Sequence, residues 1–263
     1  MDIKEFMTVP GEKPLDRLVS DGGFTGIFRK IGCVGDSLSS GEFEVLEADG
    51  TKSYHDCFDF SWGQFLARMA GSCVVNLSRG GMTAKEYCSS FADKYGYFGA
   101  DMACGAYIIA LAANDVNTGI EMGSASDVTP GDPFAHPDTF AGWYGEIIQR
   151  YKLISPDAKF FLVTQPKELP VPQNEQRRIE ARRVITELAE LFDNTYVIDL
   201  YEYAPVYDEE FRKSFYLLGH LNPMGYLLTA KMFASYIDYI IRRNPEDFYK
   251  AGFIGPQYNR TIL

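Results

Sequence analysis

The sequence predicts an α/β layered domain on a parallel sheet of about five strands. Three observations carry that prediction: five short apolar runs without polar alternation, helical patterns in the gaps between them, and the regular succession of the two. Continuous apolarity is what a parallel strand needs when helices cover both of its faces. Alternating strands and helices then imply a layered α/β arrangement.

Taken in chain order, residues 1–29 form an N-terminal extension, marked as irregular by the PGEKP and DGG turn signals. The first strand is expected at 31–34 (Ile-Gly-Cys-Val) and the second at 73–77, with a helix between them at about 60–70. A helix at 83–91 leads to the third strand at 107–111. Residues 116–138, rich in Gly, Ser, Pro and Asp, form an insertion directly after that strand, a position where α/β enzymes often place binding loops. A helix at 139–154 precedes the fourth strand, at 160–163. The next helix opens at Asn174, an N-cap candidate, and its stripe is Ile179, Val184, Ile185, Leu188, Leu191 and Phe192. After a fifth strand at 196–198, Asn222-Pro223 opens the last helix, since a cap followed by proline at the first helical position is a start signal. That helix buries Leu227, Leu228, Met232, Phe233, Ile237 and Ile240 and ends near Arg243. Residues 30–244 are thus the expected domain and 245–263 a non-helical tail.

Composition excludes several function classes. With 263 residues, 46% of them hydrophobic, the chain can bury roughly three quarters of its unfolded surface, so neither disulfide, metal nor cofactor is required for folding. Its 25 Lys and Arg against 36 Asp and Glu leave a net charge of -11, which repels phosphate backbones and anionic lipid: neither nucleic acid nor membrane is an expected partner. Five scattered cysteines, with no CxxC pair, fit reduced thiols in a cytoplasmic compartment. The N-terminus, MDIKEFMTVPGEKPLDR, has charges and a proline where a secretion signal needs an apolar run.

Ligands in open α/β sheets bind outside the carboxyl ends of the strands. Those ends read Gly35-Asp36-Ser37-Leu38-Ser39, Ser78-Arg79-Gly80-Gly81-Met82-Thr83 and Ala112-Ala113-Asn114-Asp115, while His220 stands in the loop entering the last helix. A serine on a tight turn can attack a carbonyl if a histidine takes its proton. The oxyanion then needs fixed donors, which backbone N–H groups and an asparagine amide can supply.

The stretches GDSLSSGEF, NLSRGGMT, AAND and GHLNPMGY, in this order, resemble blocks I, II, III and V of the SGNH or GDSL-like esterase and lipase family. The resemblance spans most of residues 35–226. It implies a flavodoxin-like three-layer α/β/α sandwich and cofactor-free hydrolysis of a small-molecule ester. Ser37 would be the nucleophile and His220 the base, with an oxyanion hole from Ser37, Gly81 and Asn114; Gly80 rivals Gly81. Short-acyl esters, O-acetyl groups on carbohydrates among them, are the substrates the family suggests. Acyl transfer would use the same residues, and a binding module that has lost activity is the alternative from another class.

Two positions depart from the family pattern. Ala112 stands where the third block usually has glycine, and Leu217 stands where the fifth block has the triad acid. The second nitrogen of His220 could then be held by a backbone carbonyl, ranked first, or by a carboxylate from elsewhere: Asp199 after the fifth strand, or Asp208, Glu209 or Glu210 in the following loop. His55, near Asp56, Cys57 and Asp59, matches no standard metal-ligand spacing. Trp62, Trp143 and Tyr144 could stack on a sugar but read more simply as packing residues. In the tail, Phe248, Tyr249, Phe253 and Ile254 need cover from their own domain or from the second subunit of a homodimer.

Overall fold

The structure, a computed structural model, describes residues 3–253. Among the described residues, seven strands longer than two residues order the domain: β1 (Lys30–Gly35), β2 (Glu42–Leu46), β3 (Lys52–Asp56), β4 (Cys73–Ser78), β5 (Ala106–Ala110), β6 (Lys159–Val163) and β7 (Thr195–Ile198). Five of them pair in parallel in the order β4-β1-β5-β6-β7, each at an apolar run read from the sequence. This is the flavodoxin-like strand order, in which the chain reverses its direction of winding beside β1, so the crevice for a ligand lies at the carboxyl end of that strand.

Side chains of each strand alternate between two cores. Val34, Tyr107, Ile109, Phe160 and Leu162 face one, completed by the helices Phe140–Ile154 and Glu175–Leu191. Ile31, Cys33, Ile108 and Phe161 face the other, completed by Trp62–Ala70 and the C-terminal helix Pro223–Arg243. The result is a three-layer α/β/α sandwich. Burying each of these large apolar side chains stabilises the fold by roughly 1.5–3 kcal/mol, so the two faces together supply the main driving force.

The long helices begin where their caps allow. Asn222 Oδ1 accepts from Gly225 N–H at 2.9 Å, as its sequence position suggests. Asn174 does not cap its helix; its amide instead donates to Asn117 Oδ1 at 2.8 Å, tying the insertion to that helix. The N-terminal segment lies along the C-terminal helix, with Val19 N–H on Ser235 Oγ and Phe24 N–H on Asp238 Oδ1, both at 2.9 Å.

Two features differ from the sequence reading. The hairpin of β2 and β3 was not expected, although Phe43 and Val45 alternate with Glu42 and Glu44 on β2; Phe43 is its anchor, edge-on to Tyr226 at 5.6 Å. The segment after Arg243 is not wholly irregular, because Pro245–Phe248 form one helical turn with proline at its start. Phe248 is buried by its own domain, against Phe28, Phe161 and Tyr196, whereas Tyr249 stays exposed. Ile254 lies outside the described residues. None of the described helices is long and apolar enough to cross a membrane.

Candidate active site

Gly35 ends β1, and the chain turns at once into the short helix Ser37–Ser40. Asp36 makes the turn: its Oδ1 accepts from Leu38 N–H at 3.1 Å. Ser37 therefore sits half-buried at the first position of that helix, above the strand end. Gly41 stops the helix in the left-handed region, φ 80°, where an added Cβ would meet Cys57 O at 2.6 Å. The chain then enters the β2–β3 hairpin, which Ser40 ties back to the turn by donating to Asp56 Oδ1 at 2.6 Å.

That hairpin supplies carboxylates to His220. Glu42 and Glu44 lie two apart on β2, hence on one face, and Tyr54 pairs opposite Glu44. His220 Nε2 lies 3.1 Å from Glu42 Oε1, and Nδ1 lies 3.4 Å from Glu44 Oε2. Tyr54 stands edge-on to the imidazole at 5.9 Å. Glu44 is almost wholly covered and is fixed from two more sides, by Lys52 Nζ at 2.5 Å and by Gly219 N–H at 2.9 Å. The Lys52 hydrogen bond holds the Glu44 carboxyl below its ordinary pKa, whereas burial raises that of Glu42.

The orienting groups expected from the sequence are placed elsewhere. Asp199 pairs with Arg182, Nη2 to Oδ2 at 2.6 Å, and accepts from Thr164 Oγ1 at 2.8 Å; it braces β7 against the helix Glu175–Leu191. Asp208 caps the helix Glu209–Phe215 through Phe211 N–H at 2.9 Å. Glu209 pairs with Lys213 within that helix. The group facing Nδ1 is the Glu44 carboxylate rather than a backbone carbonyl, at ion-pair distance and without a hydrogen bond in this structure. Leu217 pairs with His220 across a two-residue ladder, and its aliphatic side chain offers the imidazole no acceptor. Glu44 escaped the sequence reading because nothing local marks it: it lies far from His220 along the chain and is brought there by the hairpin.

On the oxyanion side, a side chain at Gly80 would run into the Glu42 carboxylate, so His220 and the end of β4 share that one group. Gly81 adopts φ 72° and has open space where a Cβ would be. Asn114 Nδ2 donates to Met82 O at 3.0 Å and stands 3.5 Å from Asp36 Oδ2, which aims the amide between the ends of β1 and β4. Ala112, in the glycine position of the third block, has φ 111°, a conformation that costs a residue with a Cβ roughly 1–3 kcal/mol. Asp115 accepts from Ala84 N–H at 2.9 Å and so braces the loop carrying Asn114. Burial lifts the Asp36 carboxyl to about 7 and that of Asp115 to about 6.

No hydrogen bond joins Ser37 to His220 among the described residues; Nε2 is turned to Glu42. His55 is an exposed hairpin residue bonded to Ser53, and His136, within the insertion, is held by Glu146 at 3.0 Å. Trp62 is buried core, and Trp143 packs on His136 away from the strand ends. No group of three or more His, Cys, Asp or Glu side chains among the described residues could hold a metal ion. The arrangement offers a nucleophile on a tight turn, an imidazole between carboxylates, and backbone and amide donors at neighbouring strand ends.

Neither a family model nor a curated protein matches the sequence. Solved structures do match in fold. A protein of Lactobacillus plantarum aligns over 81% of this chain and 97% of its own, at TM-score 0.60 and 15% identity. A family two carbohydrate esterase from Clostridium thermocellum, solved with cellohexaose, aligns over 81% of this chain at TM-score 0.57 and 16% identity. A family 2 carbohydrate esterase of Corynascus thermopiles, solved with a carbohydrate-binding domain, aligns over 81% at TM-score 0.53 and 15% identity. The chain spans 64% and 66% of those two esterase chains. The fold is thus the α/β/α sandwich that carbohydrate esterases share.

Proposed function

We propose that the chain is a serine esterase that removes short acyl groups from small hydroxyl-bearing molecules, carbohydrates among them. The observation that carries this reading is the buried Glu44 carboxylate at His220 Nδ1. It stands where a triad acid would have to act, although the sequence lacks that acid at its usual place. A carboxylate there fixes the imidazole with Nε2 free to accept a proton and offsets the charge that the ring then gains.

In this mechanism Ser37 Oγ attacks the ester carbonyl and passes its proton to His220 Nε2. The Ser37 N–H, a glycine N–H of Gly80 or Gly81, and the Asn114 amide donate to the tetrahedral oxyanion. The alcohol leaves with the proton from His220, and water hydrolyses the acyl-serine with His220 again as base. Glu42 must yield Nε2 before the first step. No cofactor takes part.

Hydrolysis of p-nitrophenyl acetate and butyrate, beside Ser37→Ala and His220→Ala, tests the reading, together with labelling by a fluorophosphonate probe. Wild type should turn over and be labelled, and both variants should lose turnover. Glu42 on Nε2 is the observation that favours the rival reading, a binding module on an esterase fold. Equal inertness of all three proteins, with Ser37 unlabelled, would establish that rival.

A further inference from the structure

A partly open, largely apolar cavity of about 130 Å³ lies beside the loops of the candidate site. Three of its wall residues are chain neighbours of the residues given roles above: Leu38 follows Ser37, Ala113 precedes Asn114, and Leu221 follows His220. The deeper wall is Trp62, Val163 and Phe233, from the helix Trp62–Ala70, the end of β6 and the C-terminal helix. The cavity is therefore bounded by residues adjoining Ser37, Asn114 and His220, while neither the Gly80–Gly81 turn nor the β2–β3 hairpin lines it.

We propose that this cavity takes the acyl half of the ester and selects unbranched chains of about four to six carbons, a size set by analogy with an apolar cavity of about 150 Å³ that admits benzene. The inference rests on Ser37 acting as the nucleophile. The alcohol half is left to the opposite side, where Glu42, Glu44 and Tyr54 form a polar wall suited to hydroxyl groups.

Packing argues that the space is more than a flaw of the core. Interiors rarely leave polar atoms without partners, yet Ser39 Oγ, Gln165 Oε1 and Arg178 Nε, all on residues lining this cavity, are buried and have no hydrogen bond. A well-packed core would have closed around them. Thr229, on the C-terminal helix, also lines the space and lets it be filled without touching the chemistry.

The test is kcat/KM for p-nitrophenyl acetate, butyrate, hexanoate and decanoate in wild type, Thr229→Met, which fills the space, and Thr229→Val, which keeps its volume. Wild type should peak at butyrate or hexanoate and fall at decanoate. Thr229→Met should lose about ten-fold or more on hexanoate with acetate within about two-fold, since even one methylene of pocket space is worth that discrimination. Thr229→Val should keep the wild-type profile. If Thr229→Met does not fold, Val163→Leu from the opposite wall must produce the same shift. An unchanged profile in the filling variant, with acetate hydrolysis intact, overturns the acyl pocket and leaves Ser37 standing as nucleophile. Absence of hydrolysis and of fluorophosphonate labelling in wild type overturns both.

Discussion

His220 carries a carboxylate at each ring nitrogen, and the two should act in opposite directions. Glu44 is held ionised by Lys52 and faces the nitrogen that needs an orienting acceptor. Removing it, as Glu44→Ala, should lower kcat by about 10²–10⁴-fold, the upper end being what loss of a triad acid's function costs a serine protease. Glu42 faces the nitrogen that Ser37 must reach. Glu42→Ala frees that nitrogen and is expected to raise kcat on p-nitrophenyl butyrate. A fall in both variants would make Glu42 a positioning residue instead of a competitor. Steady-state kinetics of the two variants decides the matter.

At the scale of elements, the hairpin is the piece that completes the site. It hangs from Gly41, whose φ of 80° and close approach to Cys57 O leave no room for a side chain. Gly41→Ala should cost about 1 kcal/mol or more in urea unfolding, since an alanine in that region is strained. It should also lower kcat by displacing Glu44 from His220. Wild-type activity at reduced stability would show that the hairpin turns independently of the imidazole. The insertion, by contrast, is tied to the helix Phe140–Ile154: His136 bonds Glu146, which also pairs with Arg150.

For the whole molecule, the two buried carboxyls by the strand ends set a pH dependence. Asp36, lifted to about 7, and Asp115, lifted to about 6, both bind a proton more tightly folded than unfolded. Their contribution to stability is greatest below the unfolded value near 4. It declines as pH rises through about 6 to 7 and is level above that. Glu12 and Glu44 act in the opposite sense, held below the ordinary glutamate value by Arg242 and Lys52, and their contribution is lost only as pH falls below about 4.5. Tm should therefore fall between about pH 5 and about pH 7.5. Asp36→Asn, which keeps the cap oxygen but cannot ionise, should flatten that fall; an equally steep curve in the variant would remove Asp36 as its source.

By itself the sequence determined the layers and the strand ends. The five parallel strands are short, mainly apolar runs, and the C-terminal helix buries most of its expected stripe, although Ile179 and Leu191 of the helix Glu175–Leu191 stay exposed. The turns holding Ser37, Gly81 and Asn114 follow from where the runs stop, while His220 precedes the cap of the last helix. These are local signals, because burial on two faces writes itself into consecutive residues. Only the tertiary structure decided what holds His220. Glu44 sits in a hairpin with mixed, mostly polar strands, and its role arises from contact with a residue at the far end of the chain. The acids that looked plausible, Asp199 and Asp208, were taken by an arginine and a helix cap nearer to them. A carboxylate's partner is set by which charge folding brings within about 4 Å, and at that range three-dimensional packing outweighs sequence order.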